Sequence, residues 1–173
     1  MKLLKIRAFA WLVAILIMIL SVALGAYTSY AGMQSSAAAA FEREMMPIIN
    51  NAMISAYEMQ SAAQNYLSAA ELATIGISRI VADIQATDDT AQIYRLFVQL
   101  NQAVWTIYDM VPTLEISDIN RGFIINSHGD FMQFDLILSQ AGYNNIAADF
   151  NARLQSGLGF IVRPIINELP RFD

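Results

Sequence analysis

AFAWLVAILIMILSVALGAYTSYA, residues 8–31, holds no charged side chain, and its centre is almost purely aliphatic. A hydrocarbon core about 30 Å thick is crossed by about 20 helical residues. The run meets that length with a little to spare and predicts a transmembrane anchor over 8–31. Lys2, Lys5 and Arg7 crowd the side before it, whereas the fifteen residues after Ala31 contain only Arg43. The bias of basic residues toward the cytoplasm therefore places residues 1–7 there as a short N-terminus and the rest of the chain on the opposite side. Phe9 and Trp11 fall near one headgroup level, and Tyr27 and Tyr30 near the other, where amphipathic rings collect. A cleaved secretory signal shares the basic start, the apolar run and the small residues Ala23 and Gly25. Its apolar core is ordinarily about 7 to 15 residues, shorter than this one, so a retained anchor is the expectation.

Outward from the anchor, the 173-residue chain leaves enough for one domain of ordinary size. The formal charge is −5, but three of the ten basic residues precede the anchor, leaving seven arginines against fifteen carboxylates, near −8. Such a surface argues against nucleic acid and against charge-driven docking on anionic lipid. There is no cysteine, hence no disulfide or thiolate chemistry, and stability must come from packing. Four Pro and eight Gly among abundant Ala, Leu, Ile, Met and Gln favour helix over strand.

The fold class expected is all-α: the N-terminal transmembrane helix, then an antiparallel up-and-down bundle of three to four long helices over 32–157, then an apolar tail, 158–173. High helix propensity carries the anchor helix on to about Glu44, where Pro47 marks a boundary. From there Met45, Ile49, Ala52, Ala56, Met59, Ala63, Tyr66, Ala70, Ala73, Ile77, Ile80 and Ile84 recur at spacings of four and three. That heptad seam predicts one helix from Ile48 to Ala86, about 58 Å long, crossing its neighbours at small angles. Thr87, Asp88, Asp89 and Thr90 form a polar break with N-cap candidates. The next helix, about Thr90 to Met110, repeats the pattern with bulkier residues, Ile93, Phe97, Leu100, Val104, Ile107 and Val111, and Pro112 ends it. Ser117 caps a fourth helix that runs, with a break, to Ser156; Ser127 with Asp130 offers a second start, and Gly157 closes it. The tail, LGFIVRPIINELPRFD, is too short and too broken by Pro164 and Pro170 to span a bilayer, so it packs on the bundle or lies on the membrane surface.

No constellation points to a reaction. Tyr143-Asn144 and Phe150-Asn151 repeat after seven residues, which sets both rings on one side of a helix and both asparagines on one side; packing, with the rings in a groove between helices and the asparagines bridging to a neighbour or fixing register, is favoured over a ligand role. His128 is the sole histidine, with no second ligand type near it at zinc spacing, and the paired Glu-x-x-His of di-iron bundles is absent. Glu42, Glu44, Glu58, Glu71, Asp83, Asp88 and Asp89 read as a solvated face. Met33, Met45, Met46, Met53 and Met59 read as core filling.

Tyr143-Asn144-x5-Phe150-Asn151-x2-Leu154, then the Gly-containing apolar stretch Leu158 to Ile161 and the ending Leu169-Pro170-Arg171-Phe172-Asp173, resembles the C-terminal signature of the LemA family. Val111-Pro112-x-Leu114-Glu115-x-Ser117 is similar to the family's joint between two helices, and Met45-Met46-Pro47-Ile48-Ile49 loosely matches another of its segments. The resemblance implies an antiparallel helical bundle behind a single membrane anchor, with no established enzymatic activity; the association of one branch with magnetosome membranes suggests a role in organising membrane-bound assemblies. The expectation is a non-enzymatic interaction or assembly module of a bacterial or organelle-like membrane, with a protein partner or self-association, and without nucleic acid, small-molecule substrate or cofactor. The alternative is an extracytoplasmic sensory bundle of chemoreceptor type, which needs a second span and a cytoplasmic output that this sequence does not contain.

Overall fold

The computed structural model describes residues 2–172, with side chains placed from Phe9 onward. Among the described residues every regular element is helical: α1 (Lys2–Glu44), α2 (Met46–Ala63), α3 (Ala69–Ile75), α4 (Ile77–Gln85), α5 (Thr90–Met110), a 3-10 turn (Val111–Thr113), α6 (Asp118–Gln140), α7 (Gly142–Leu154) and α8 (Gly159–Val162).

α1 is one unbroken helix about 64 Å long at 1.5 Å per residue. Its most apolar 18-residue window is only 6% buried against the rest of the chain. Farther along, Ala26, Tyr30, Ala37, Ala40 and Phe41 are buried, so one face of the same helix enters the core. The helix runs straight through Ala31 and Gly32, where anchor and bundle were expected to divide. Pro47 stands in the first turn of α2, a position where a helix tolerates a residue without an N–H. Met45 keeps helical backbone (φ −91°, ψ −44°), and the bonds Met45 N to Phe41 O (2.8 Å) and Ile49 N to Met45 O (2.9 Å) carry the ladder across the joint.

The single helix expected from Ile48 to Ala86 is corrected to three. The chain leaves α2 through a turn after Ala63, and Ser68 starts α3 with a capping box. Ser68 Oγ accepts from Glu71 N (3.2 Å), while the Glu71 carboxylate accepts from Ser68 N (2.7 Å). Gly76, at φ +79°, closes α3 by donating to Leu72 O and redirects the chain into α4; few residues other than glycine adopt that backbone. The seam therefore fails in the middle. Met45 to Ala63 and Ile77 to Ile84 are buried as the heptads require, but Ala70 and Ala73 are exposed and Leu67 fills the core instead.

α5 begins on Asp89, whose carboxylate accepts from Ala91 N and Gln92 N, and ends at the 3-10 turn that holds Pro112. Its six seam residues are all buried. Ser117 caps α6 through Asn120 N, and α6 runs on past Ser127, so the second start expected there does not exist; Ser127 is simply buried. The break falls at Ala141, whose extended ψ of 146° separates α6 from α7.

α2 packs along α6, α4 along α5, and α7 with α8 along the inner half of α1. Directions follow from the ends. Tyr66, just past α2, bonds Ser117 and Asn120 at the start of α6, while Tyr143 and Phe150 of α7 meet Phe41 and Tyr30 of α1 in reverse order. One apolar core unites these pairs.

Candidate functional site

The residues singled out in Tyr143 to Leu154 and Leu169 to Phe172 come together in one place. Asn144 Oδ1 accepts from Phe172 N (2.9 Å), and its Nδ2 donates to Phe172 O (3.1 Å). Asn151 Oδ1 accepts from Leu169 N (2.8 Å), and its Nδ2 donates to Leu169 O (2.8 Å). Each carboxamide thus grips both backbone polar groups of one tail residue, as a neighbouring strand would.

The match is metrical. Seven helical residues separate the asparagines by about 10.5 Å, and three residues of extended chain cover about 10 Å. A heptad on α7 and an i, i+3 spacing on the tail are therefore the same length, and the tail runs back along α7. Pro170, between the two gripped residues, has no N–H to leave unpaired. Asn144 does a second job. Its two N–H groups are shared among three acceptors, since Nδ2 also lies 2.8 Å from Leu138 O, which Ala141 N bonds as well, and 3.0 Å from Ser139 O at the end of α6.

Rings lock the clasp from the other side. Tyr143 stands edge-on to Phe41 with centroids 5.2 Å apart. Phe150 stands edge-on to Tyr30, whose hydroxyl donates to Arg153 O (2.8 Å). Phe172 sits among Phe41 (5.9 Å), Tyr94 (5.0 Å) and Phe97 (5.9 Å), and Phe97 stacks on Phe131 of α6. One tail residue thereby joins α1, α5 and α7. Leu154 and Tyr143 are fully enclosed, and burial pushes the Tyr143 phenol up to about 12.

The other singled-out residues lie elsewhere. Pro112 is in the turn between α5 and α6. Phe9, Trp11 and Tyr27 are exposed on α1, whereas Tyr30, expected beside Tyr27 in an interfacial belt, is built into the α1–α7 contact. His128 is enclosed by Trp105 and stacked on Tyr108 with centroids 3.9 Å apart. Of the methionines, Met45, Met53 and Met59 are in the core. Two of the acids taken for a solvated face, Glu71 and Asp89, cap helices.

The clasp spends all its side-chain amide groups on the chain itself, so what it can do chemically is fasten the tail. Two open grooves flank it. One, of about 890 Å³, runs between α1 and the start of α5, with Asp89, Arg95 and Glu168 on its walls. The other, of about 490 Å³, lies between α5 and α6 over Phe172, where burial raises the Asp135 carboxyl against the lowering effect of Asn101. Among the described residues no group of three or more His, Cys, Asp or Glu is gathered as a metal ion requires.

Sequence reasoning missed Tyr94 and, although it quoted Leu169 in the ending, missed that Asn151 grips it. For Leu169 a signal existed: Val162, Ile166, Leu169 and Phe172 recur at four and three through a proline-broken segment. No family model, curated protein or solved structure matches the chain.

Proposed function

We propose that this is a non-enzymatic, membrane-anchored antiparallel helical bundle of the LemA type, an interaction or assembly module of a bacterial membrane with its N-terminus in the cytoplasm. The observation that carries the reading is α1 itself. A core helix of a soluble protein would be buried along its apolar length, but this one is bare for its most apolar stretch and buried only afterwards. A leader destined for removal has no reason to continue, without a helix break, into a helix whose Tyr30 and Phe41 close the clasp.

The interaction role is supported by apolar residues left bare far from the anchor. Ile119 (73% exposed) and Phe123 (60%) lie four apart on α6, on one stripe beside the Tyr66 joint. Alkaline extraction of membranes with intact-mass measurement tests the anchor: the chain stays with the lipid at its full mass. A photocrosslinker at Phe123 in native membranes then yields a discrete adduct. Release of a shortened chain into the soluble fraction overturns the anchor, and a crosslinking pattern that matches an uninserted control overturns the interaction role.

A further inference from the structure

We propose that α8 and the turns on either side of it form a second membrane contact, with Leu158, Phe160 and Ile165 seated in the interfacial layer of the leaflet through which α1 leaves. The inference rests on the anchor reading above.

Position comes first. Counted from Arg7, about 20 residues of helix bring the span to its far edge near Tyr27. The cavity wall that α1 shares with the turn before α8 is formed by Val22, Gly25, Ala26 and Tyr30 on one side and Gly157 and Leu158 on the other. The turn therefore stands at the depth where the hydrocarbon ends.

The segment is two-faced. Gly159, Val162 and Ile166 are buried, while Leu158 (50% exposed), Phe160 (69%) and Ile165 (70%) are bare. Three large bare apolar side chains within eight residues continue the bare surface of α1, where Val22 and Leu24 are exposed. A lipid surface covers both at once, with side chains entering only to the headgroup boundary.

The element is held in place rather than left to swing. A Cβ at Gly159 would collide with the carbonyl oxygens of Arg153 and Leu154, so α8 sits as close to the end of α7 as backbone allows. Gly157 makes the preceding turn at φ +55°. Beyond α8, Asn151 and Leu169 clasp the tail back onto α7. The charges at its flanks are paired, Arg153 with Asp149 (2.8 Å) and Arg163 with Glu168 (3.5 Å). Burial of apolar surface, not attraction to anionic lipid, then drives the contact.

The chain has no cysteine, so single spin-labelled cysteines can be placed cleanly. The full chain is prepared as L16C, I119C, F160C and I165C, each in phosphatidylcholine nanodiscs, and label accessibility to oxygen and to a nickel chelate is measured. Labels at 160 and 165 favour oxygen severalfold over the label at 119, and adding anionic lipid changes this little. If 160 and 165 match 119 while 16 favours oxygen, the second contact is refuted and the anchor stands. If 16 also favours nickel, the anchor reading fails and this one with it. Spin–spin broadening at 160 shows a second copy on the patch instead, and refutes the lipid contact. All four replaced residues are exposed, and an unchanged melting temperature confirms that the fold is kept.

Discussion

Replacing Asn144 with Ala deletes the innermost rung of the clasp. The side chain makes four hydrogen bonds, three of them to groups that depend on it: Phe172 N–H, Phe172 C=O and Ser139 C=O; Leu138 O keeps a bond from Ala141 N (3.2 Å). A buried polar group stripped of its partner costs about 1–3 kcal/mol. Two such groups on Phe172 set a ceiling of about 6 kcal/mol. The tail has an escape that lowers it. Residues beyond Leu169 can peel away, exposing Phe172 at about 1.5–3 kcal/mol while regaining backbone entropy. The expected outcome is a loss of about 2 kcal/mol, with release of the tail from Pro170 onward. Near this chain length that lowers the melting temperature by about 4–8 °C. Circular dichroism of the full chain in detergent measures the first effect, and hydrogen exchange at the Phe172 amide measures the second. Asn151→Ala acts in the same direction but less, because its bonds to Leu169 are only part-buried. If Asn144→Ala melts like the parent and the Phe172 amide stays protected, the clasp does not hold the tail.

Ala63 has no exposed surface, so Ala63→Glu buries a carboxylate without a partner and is expected to cost about 3 kcal/mol or more, read from denaturant unfolding; a change within error would remove Ala63 from the core seam. Burial holds the pKa of His128 below 6.5, with attraction to Asp109 offsetting it only in part. The folded imidazole is thus neutral where the unfolded one takes up a proton. Its contribution is complete above the unfolded value and is lost as pH falls through the folded one. His128→Phe, which keeps the ring between Trp105 and Tyr108, should flatten the pH dependence of stability below about 6.5; parallel profiles for the two proteins would count against it. Gly159→Ala forces α8 off the end of α7 and should destabilise by about 1–3 kcal/mol while exposing the Val162 amide to exchange. Unchanged exchange there would mean that the close approach is dispensable.

What could be read from the residues was what neighbours along the chain decide. The end of α1 near Glu44, the boundary at Pro47, both ends of α5 and the cap at Ser117 are local matters of propensity, proline chemistry and side-chain capping. The break in the second long helix was equally local but lost to the heptad pattern. Ser68-x-x-Glu71 and Gly76 are a start signal and a stop signal, and either outweighs a run of alanines that gains little by burial. The asparagine pair was legible as a register device and illegible as to its partner. A seven-residue repeat on a helix fits another helix and an extended strand of three residues alike, so only the fold decides between them. The rings around Phe172 belong to elements far apart in sequence, and no local rule selects Tyr94 rather than another aromatic.

The geometry of α1 and α2 also bounds what a partner must look like, given the proposed anchor. Core contacts begin at Ala26 and Tyr30, about where the span reaches the bilayer edge, so no stalk separates bundle from lipid. From Tyr27 to Ala63 is at most about 54 Å of helix at 1.5 Å per residue, since the joint at Met45 keeps helical bonding. Ile119 and Phe123 sit beside the Tyr66 turn, at the far end of that distance. A partner engaging them reaches well clear of the headgroups, whereas a small peripheral protein lying on the same leaflet meets the α8 end and the start of α5. Crosslinks from Phe123 and from the α8 end should therefore fall on different molecules.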